Sequence, residues 1–184
     1  MIQQKPATLD DLYNAEGQAE LIDGRIVHQM ATGHRPNEVA GNIYVHLRGF
    51  CRQTGKGHAY TDSMGFAVPK LPSGRQSFSP DTSYYDGPLP ANLMRFVQGA
   101  PTFGVEVRSE NDYGLSHDLQ YAAKRADYFA AGTLVVWDVD PLAETVTCYR
   151  ATAPDAPVLF KQGEIADAEP AVPGWRIAVS EVFA

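Results

Sequence analysis

Two carboxylates stand in stretches whose residues favour β-strands. Asp81 follows Pro80 at the head of Asp81-Thr82-Ser83-Tyr84-Tyr85, and Glu106 sits inside Thr102-Phe103-Gly104-Val105-Glu106-Val107-Arg108-Ser109. A hard divalent cation takes two carboxylates together with carbonyl and water oxygens, and two strands paired in one sheet can bring such carboxylates within its reach. Glu106 is costly as a purely structural residue: a strand with Val105 and Val107 on its other face reads as central, and an unpaired carboxylate on a covered face is penalised. Each residue also has a plainer reading, Asp81 as a turn or cap residue and Glu106 as an outward residue salt-bridged to Arg108. Lys124 is a candidate positive charge to position or deprotonate an attacking water. At about 100° per residue, His117, Tyr121, Lys124 and Tyr128 form a stripe nearly opposite an apolar stripe of Leu115, Leu119, Ala122, Ala123, Ala126 and Ala130. Lys124 therefore reads either as a surface lysine or, with two tyrosines beside it, as one presented to a cleft.

The elements that must position these groups can be outlined from periodicity. Glu20 to Val27 reads as a β-hairpin turning at Asp23-Gly24, a pair that tolerates positive φ. Val39, Ile43, Leu47 and Phe50 predict an amphipathic helix over about 37 to 53, with Pro36 suited to its first turn and Arg48 and Arg52 on its polar side. Residues 57 to 69 read as short strands, and 70 to 80 as an exposed, turn-rich loop. A strong helix is predicted over 113 to 131, its Leu/Ala stripe facing the core and Gly132 stopping it. Leu134 to Trp137 then reads as a strand buried on both faces and ending at Asp138-Val139-Asp140-Pro141, with Thr145 to Tyr149 returning antiparallel. Beyond it come a turn at Gly163, a loop around Pro170 and Pro173, and a last short strand or helix from Trp175.

The chain has 184 residues, which implies one domain over 1 to 184. A hydrophobic content of 44% against 20% charged residues excludes a disordered, coiled-coil or collagen-like protein. Fifteen Lys and Arg against 22 Asp and Glu give a net charge of −7, which argues against coating nucleic acid by bulk positive charge. By segment, however, residues 1 to 23 carry −4, residues 24 to 80 carry +5 and the remainder −8. The basic middle reads as a polyanion-facing surface or as an ordinary solvated face. Cys51 and Cys148 read as buried thiols or a lone long-range pair. The N-terminal Met1 to Pro6 has no apolar leader and no window is long and apolar enough for a membrane span, so a cytoplasmic location is expected.

The segments Ala19-Glu20-Leu21-Ile22-Asp23-Gly24, Ser79-Pro80-Asp81, Gly104 to Asp112, and Lys124 to Gly132 through Val135 to Pro141, with His34 before the first helix, resemble the Uma-two restriction-endonuclease family of the PD-(D/E)XK nuclease superfamily. The resemblance covers about residues 9 to 150. It implies an α/β (α+β) restriction-endonuclease-like core, a central mixed β-sheet flanked by helices. It implies magnesium or manganese held by Asp81, Glu106 and the carbonyl of Val107, with Glu20 as an additional acidic position. The superfamily's lysine usually stands two residues after the second acid, where this chain has Arg108, which stays protonated and cannot act as a base. Lys124 on the following helix would replace it, with Arg108 assisting. Ser109 and Asn111 are expected to shape the turn after the strand, and His34 to cap or pack.

The expected function is a magnesium-dependent endonuclease acting on DNA, in which Lys124 and Arg108 orient water and stabilise charge on the phosphate. Nucleases of this architecture that cut both strands commonly act as dimers, so a homodimer is expected. The alternative is a degenerate member that binds nucleic acid or a partner protein without cutting, motivated by Arg108 and the acidic net charge. A two-carboxylate glycosidase is a weaker third, because nothing resembles an aromatic-rich sugar cleft.

Overall fold

The computed structural model describes residues 5–184, so the first four residues of the N-terminal stretch lie outside the described residues. A short helix, α1 (Leu9–Tyr13), precedes strands β1 (Ala19–Ile22) and β2 (Arg25–His28). These form the expected hairpin, in which Asp23 (φ 48°) and Gly24 (φ 66°) both take the left-handed conformation that a two-residue turn demands. Helix α2 (His34–Thr54) follows and buries Val39, Ile43, Leu47 and Cys51 at helical spacing. Gly55, in the left-handed region, ends it by donating to the Cys51 carbonyl.

Strands β3 (His58–Thr61), β4 (Phe66–Ala67), β5 (Ser77–Phe78), β6 (Thr82–Tyr85), β7 (Val97–Gln98) and β8 (Phe103–Val107) come next. Helix α3 (Leu115–Ala130) leads to β9 (Val135–Asp140), β10 (Thr145–Arg150), β11 (Ala153–Phe160), β12 (Ile165–Asp167), β13 (Arg176–Ala178) and a final turn of helix, α4 (Val179–Val182). The central sheet has the order β11-β10-β9-β8-β6-β3. β8 and β9 run parallel, joined by α3 as the crossover, while the other neighbours in this sheet are antiparallel. The mixed sheet flanked by helices is the architecture expected from the sequence.

Alternation along β8 and β9 divides the core in two. Phe103, Val105, Val107, Val135, Trp137 and Val139 pack with α2 and with Trp175. On the other face, Val136 joins Phe66, Phe78 and Tyr128, and Glu106 and Asp138 share that face by strand alternation. Cys51 and Cys148 are both free and buried. No described helix is long and apolar enough to cross a membrane.

Two expectations are corrected. The Leu/Ala stripe of α3 faces outward, with Leu115 and Leu119 at 77% and 63% exposed, while Tyr128 on the opposite stripe is fully buried. The polar stripe turns inward because buried acids on the sheet and on β1 offer its lysine and tyrosine hydroxyl partners, and Phe78 offers Tyr128 a stacking surface. Residues 70 to 80 are not an exposed loop throughout: after the turn at 71 to 74 the chain dives inward, burying Arg75 and Ser77 to Pro80. The strand from Val135 ends at Asp140, within the expected Asp138 to Pro141, and Arg108 and Arg125 neutralise the Asp138 carboxylate inside the fold. β11, which the sequence did not suggest, forms the sheet edge and carries Pro154 and Pro157, residues that leave gaps in the row of donors a free edge would offer.

The inverted amphipathicity of α3 is directly measurable. Leu119→Gln is expected to change unfolding free energy by no more than about 0.5 kcal/mol, whereas Tyr128→Ala should cost about 3–5 kcal/mol in the same urea titration.

Candidate active site

The antiparallel register of β6 on β8 pairs Thr82 with Val105, which brings Asp81, the residue before β6, to the end of β8 next to Glu106 in the strand. The Asp81 N–H extends the ladder by donating to the Val105 carbonyl at 3.1 Å. Its carboxylate accepts the Val107 N–H at 2.7 Å, which fixes the side chain over the end of β8. The two acids found by type and spacing are thus brought together by strand register.

Glu106, 9% exposed, does not pair with Arg108. One carboxylate oxygen accepts from Lys124 Nζ at 2.8 Å and the other from the Tyr128 hydroxyl at 2.6 Å. Lys124 and Tyr128 lie one turn apart on the inward face of α3, so the helix delivers both donors to one carboxylate. Lys124 Nζ also lies 3.5 Å from Glu20, which β1 brings to the same place. Lys124 is therefore a cleft residue.

Glu20, 4% exposed, also accepts the Ser79 N–H at 2.9 Å and an N–H of Arg75. Arg75 reaches on to Asp127 of α3 at 3.0 Å. The sequence did not single out Arg75, Tyr128 or Asp127 as site residues. A signal existed for the pair on α3, since Lys124 and Tyr128 sit four apart on one stripe. Arg75 stands alone in turn-rich surroundings and carried no signal.

Arg108 is held away from the carboxylate pair. Its guanidinium forks onto both oxygens of Asp138 at 2.9 Å and reaches Asp118 at 2.8 Å, lying against the ring of Tyr121. Ser109 takes the expected turn role, its N–H and hydroxyl both donating to Asp112, and Asn111 is exposed. His34 neither caps nor packs: Gly33 is the N-cap and the imidazole is 88% exposed.

Burial would depress the Lys124 pKa, but Glu106 and Glu20 outweigh it and raise it, so the ammonium stays charged. Burial pushes Glu106 up, with Lys124 opposing and Glu20 adding to the rise. Glu20 is held low although burial opposes this, because Lys124 and Arg75 both face it. Asp81 is pushed up to about 7 by burial and by the charge of Glu106, with the Val107 N–H and Lys124 only partly offsetting them. Of these three acids, Asp81 alone has no salt-bridge partner among the described residues.

Two openings flank the acids. A cavity of about 150 Å³ is lined by Asp81, Val107, Asp62 and Asn37, and one of about 420 Å³ by Glu106, Lys124, Arg75 and Tyr121. No three His, Cys, Asp or Glu side chains among the described residues form an all-protein metal cage. Two carboxylates with room for water instead match the habit of magnesium, which keeps several waters and binds through one or two carboxylates.

A family model described as "Uma2: Putative restriction endonuclease" matches residues 6–180. A crystal structure from Anabaena variabilis ATCC 29413, described as a "putative nuclease belonging to DUF820", shares the fold with a TM-score of 0.73. The two are 17% identical, and the match covers 97% of this chain and 98% of that one. No curated protein matches.

The raised Asp81 pKa has a stability consequence in metal-free protein. The folded state binds the extra proton between the ordinary 3.8 and about 7, so stability falls as pH rises through that window. Asp81→Asn should stabilise the protein by about 1–2 kcal/mol at pH 8, with the gain vanishing near pH 4, in urea titrations with EDTA present. A loss of stability at pH 8 would contradict this account of Asp81.

Proposed function

The chain belongs to the Uma2 family, and from that membership we propose that it is an endonuclease hydrolysing DNA phosphodiester bonds with magnesium or manganese. The observation that carries this reading is the position of two acids toward the end of β8: Asp81 accepts the Val107 N–H at 2.7 Å and has no cation, and the neighbouring Glu106 accepts from Lys124 at 2.8 Å. The donor set suits the ion: carboxylate oxygens of Asp81 and Glu106 and the Val107 carbonyl are hard ligands, and a buried, unneutralised carboxylate is stabilised by a cation. When bound, the metal would lower the pKa of a coordinated water and offset charge on the phosphate.

The protein's own groups do the rest. Lys124, kept protonated by its two acids, is a hydrogen-bond donor and a positive charge rather than a base, aimed at the attacking water or a non-bridging phosphate oxygen. Tyr128 holds Glu106 from beneath, so the carboxylate does not need to reorganise. Arg108, committed to Asp138 and Asp118, braces the turn from β8 toward α3 and leaves the lysine's role to Lys124. Cutting both strands from one site per chain calls for two copies, which makes a homodimer the working form. The alternative of a non-cleaving binder rested on Arg108 at the lysine position and on the acidic net charge; Lys124 at 2.8 Å from Glu106 answers the first and supports cleavage.

Supercoiled plasmid incubated with the protein and Mg²⁺ or Mn²⁺ should be nicked or linearised, and EDTA should prevent it. Asp81→Ala and Glu106→Ala are expected to abolish cleavage, and Lys124→Ala to slow it by about 10²–10³-fold. Undiminished cutting by both acid variants would sink the assignment; metal binding without cutting in the wild type would favour the non-cleaving reading.

A further inference from the structure

The resemblance to PD-(D/E)XK nucleases places Glu20 beside the metal, but its surroundings give it different work. A carboxylate has about four lone-pair sites. In Glu20, one oxygen takes the Ser79 N–H and faces Lys124, and the other takes an N–H of Arg75. Two cations already meet this one acid in a site that is 4% exposed. Asp81, by contrast, has no salt-bridge partner among the described residues, and Glu106 has only Lys124. A metal at Glu20 would face both Lys124 and Arg75, whereas at Glu106 it would face Lys124 alone and at Asp81 no salt-bridged cation among the described residues.

We propose that Glu20 is a positioning residue for Lys124, locked in place by Arg75, and is not a ligand of the metal. This rests on the nuclease reading above. Arg75 is suited to the task because its two ends grip different elements: one nitrogen bonds Glu20 on β1, and Nε bonds Asp127 on α3, three residues beyond Lys124. Its guanidinium also lies over Phe78, which stacks on Tyr128 with ring centroids 4.2 Å apart. Arg75 thereby ties the hairpin to the helix that carries the ammonium. Of the three Lys124 N–H groups, one is donated to Glu106 at 2.8 Å, and Glu20 at 3.5 Å draws the ammonium to its side by charge. The remaining N–H groups are left for a water or a phosphate oxygen, and the charge of Glu20 sets where the ammonium points them.

The test separates metal affinity from turnover. Wild type and Glu20→Gln are titrated with Mn²⁺ by calorimetry, and their single-turnover cleavage rates are measured at saturating metal, with near-ultraviolet circular dichroism confirming the fold. The expected result is a metal Kd within about 2-fold of wild type and a cleavage rate lowered about 10–100-fold, the scale of loss when a catalytic group is misplaced. A Kd weakened 10-fold or more would make Glu20 a ligand and overturn the proposal, as would unchanged rate and Kd together. If Glu20→Gln does not fold, Arg75→Lys, which keeps the charge but cannot grip both acids, is held to the same two readouts. Wild-type protein that binds no Mn²⁺ and cuts no DNA would overturn the nuclease reading itself, whereas metal-dependent cutting with a weakened Kd in Glu20→Gln overturns only the role given to Glu20.

Discussion

The ammonium of Lys124, lodged between Glu106 and Glu20, is the interaction around which the rest of this molecule is arranged. Removing one partner from such a buried pair typically costs about 3–5 kcal/mol, since the remaining charge is stranded away from water. The surrounding structure can be read as what keeps that stranding from happening. Arg75 and the Ser79 N–H satisfy Glu20, Tyr128 satisfies Glu106, and Asp127 satisfies Arg75. Asp81, at the edge of this network, has no salt-bridge partner among the described residues, which is why the proposed cation is assigned to it.

The same constraint explains how α3 sits. A helix whose Leu and Ala residues form one clean stripe would ordinarily bury that stripe. Here burying the leucines would force Lys124 and Tyr128 into solvent and leave Glu106 unpaired under a helix. An unpaired buried carboxylate is far more costly than two exposed leucines, each of which forgoes about 1.5–3 kcal/mol of burial. The helix accordingly turns its polar stripe inward, and Tyr128 recovers apolar burial by stacking on Phe78.

Much of the site was legible in the sequence, though unevenly. Asp81 and Glu106 could be found because an acid inside a valine-rich strand is costly without a partner and a second acid heads another strand after proline, although each also had a plainer structural reading. The hairpin at Asp23-Gly24 and the helix carrying Val39, Ile43 and Leu47 were readable because turn chemistry and periodicity are local properties. Arg108 invited a catalytic reading from its position two residues after Glu106, but it was claimed by Asp138 on the neighbouring strand. Arg75 was invisible, since it stands in a stretch so rich in turn formers that the sequence reads it as an exposed loop.

By itself, then, the sequence determined most of the elements and the identity of the two strand acids, because these follow from short-range spacing and side-chain type, while the mixed-sheet architecture was implied by the family resemblance. Only the tertiary structure decided which face of α3 is buried, that Lys124 meets both Glu106 and Glu20, and that Arg75 and Tyr128 brace those two acids. Those outcomes depend on charges brought together from β1, the turn before β5, β8 and α3. Electrostatic compensation among residues so far apart along the chain leaves no periodic trace in the sequence, and it is realised only when the sheet places them within a few ångströms of one another.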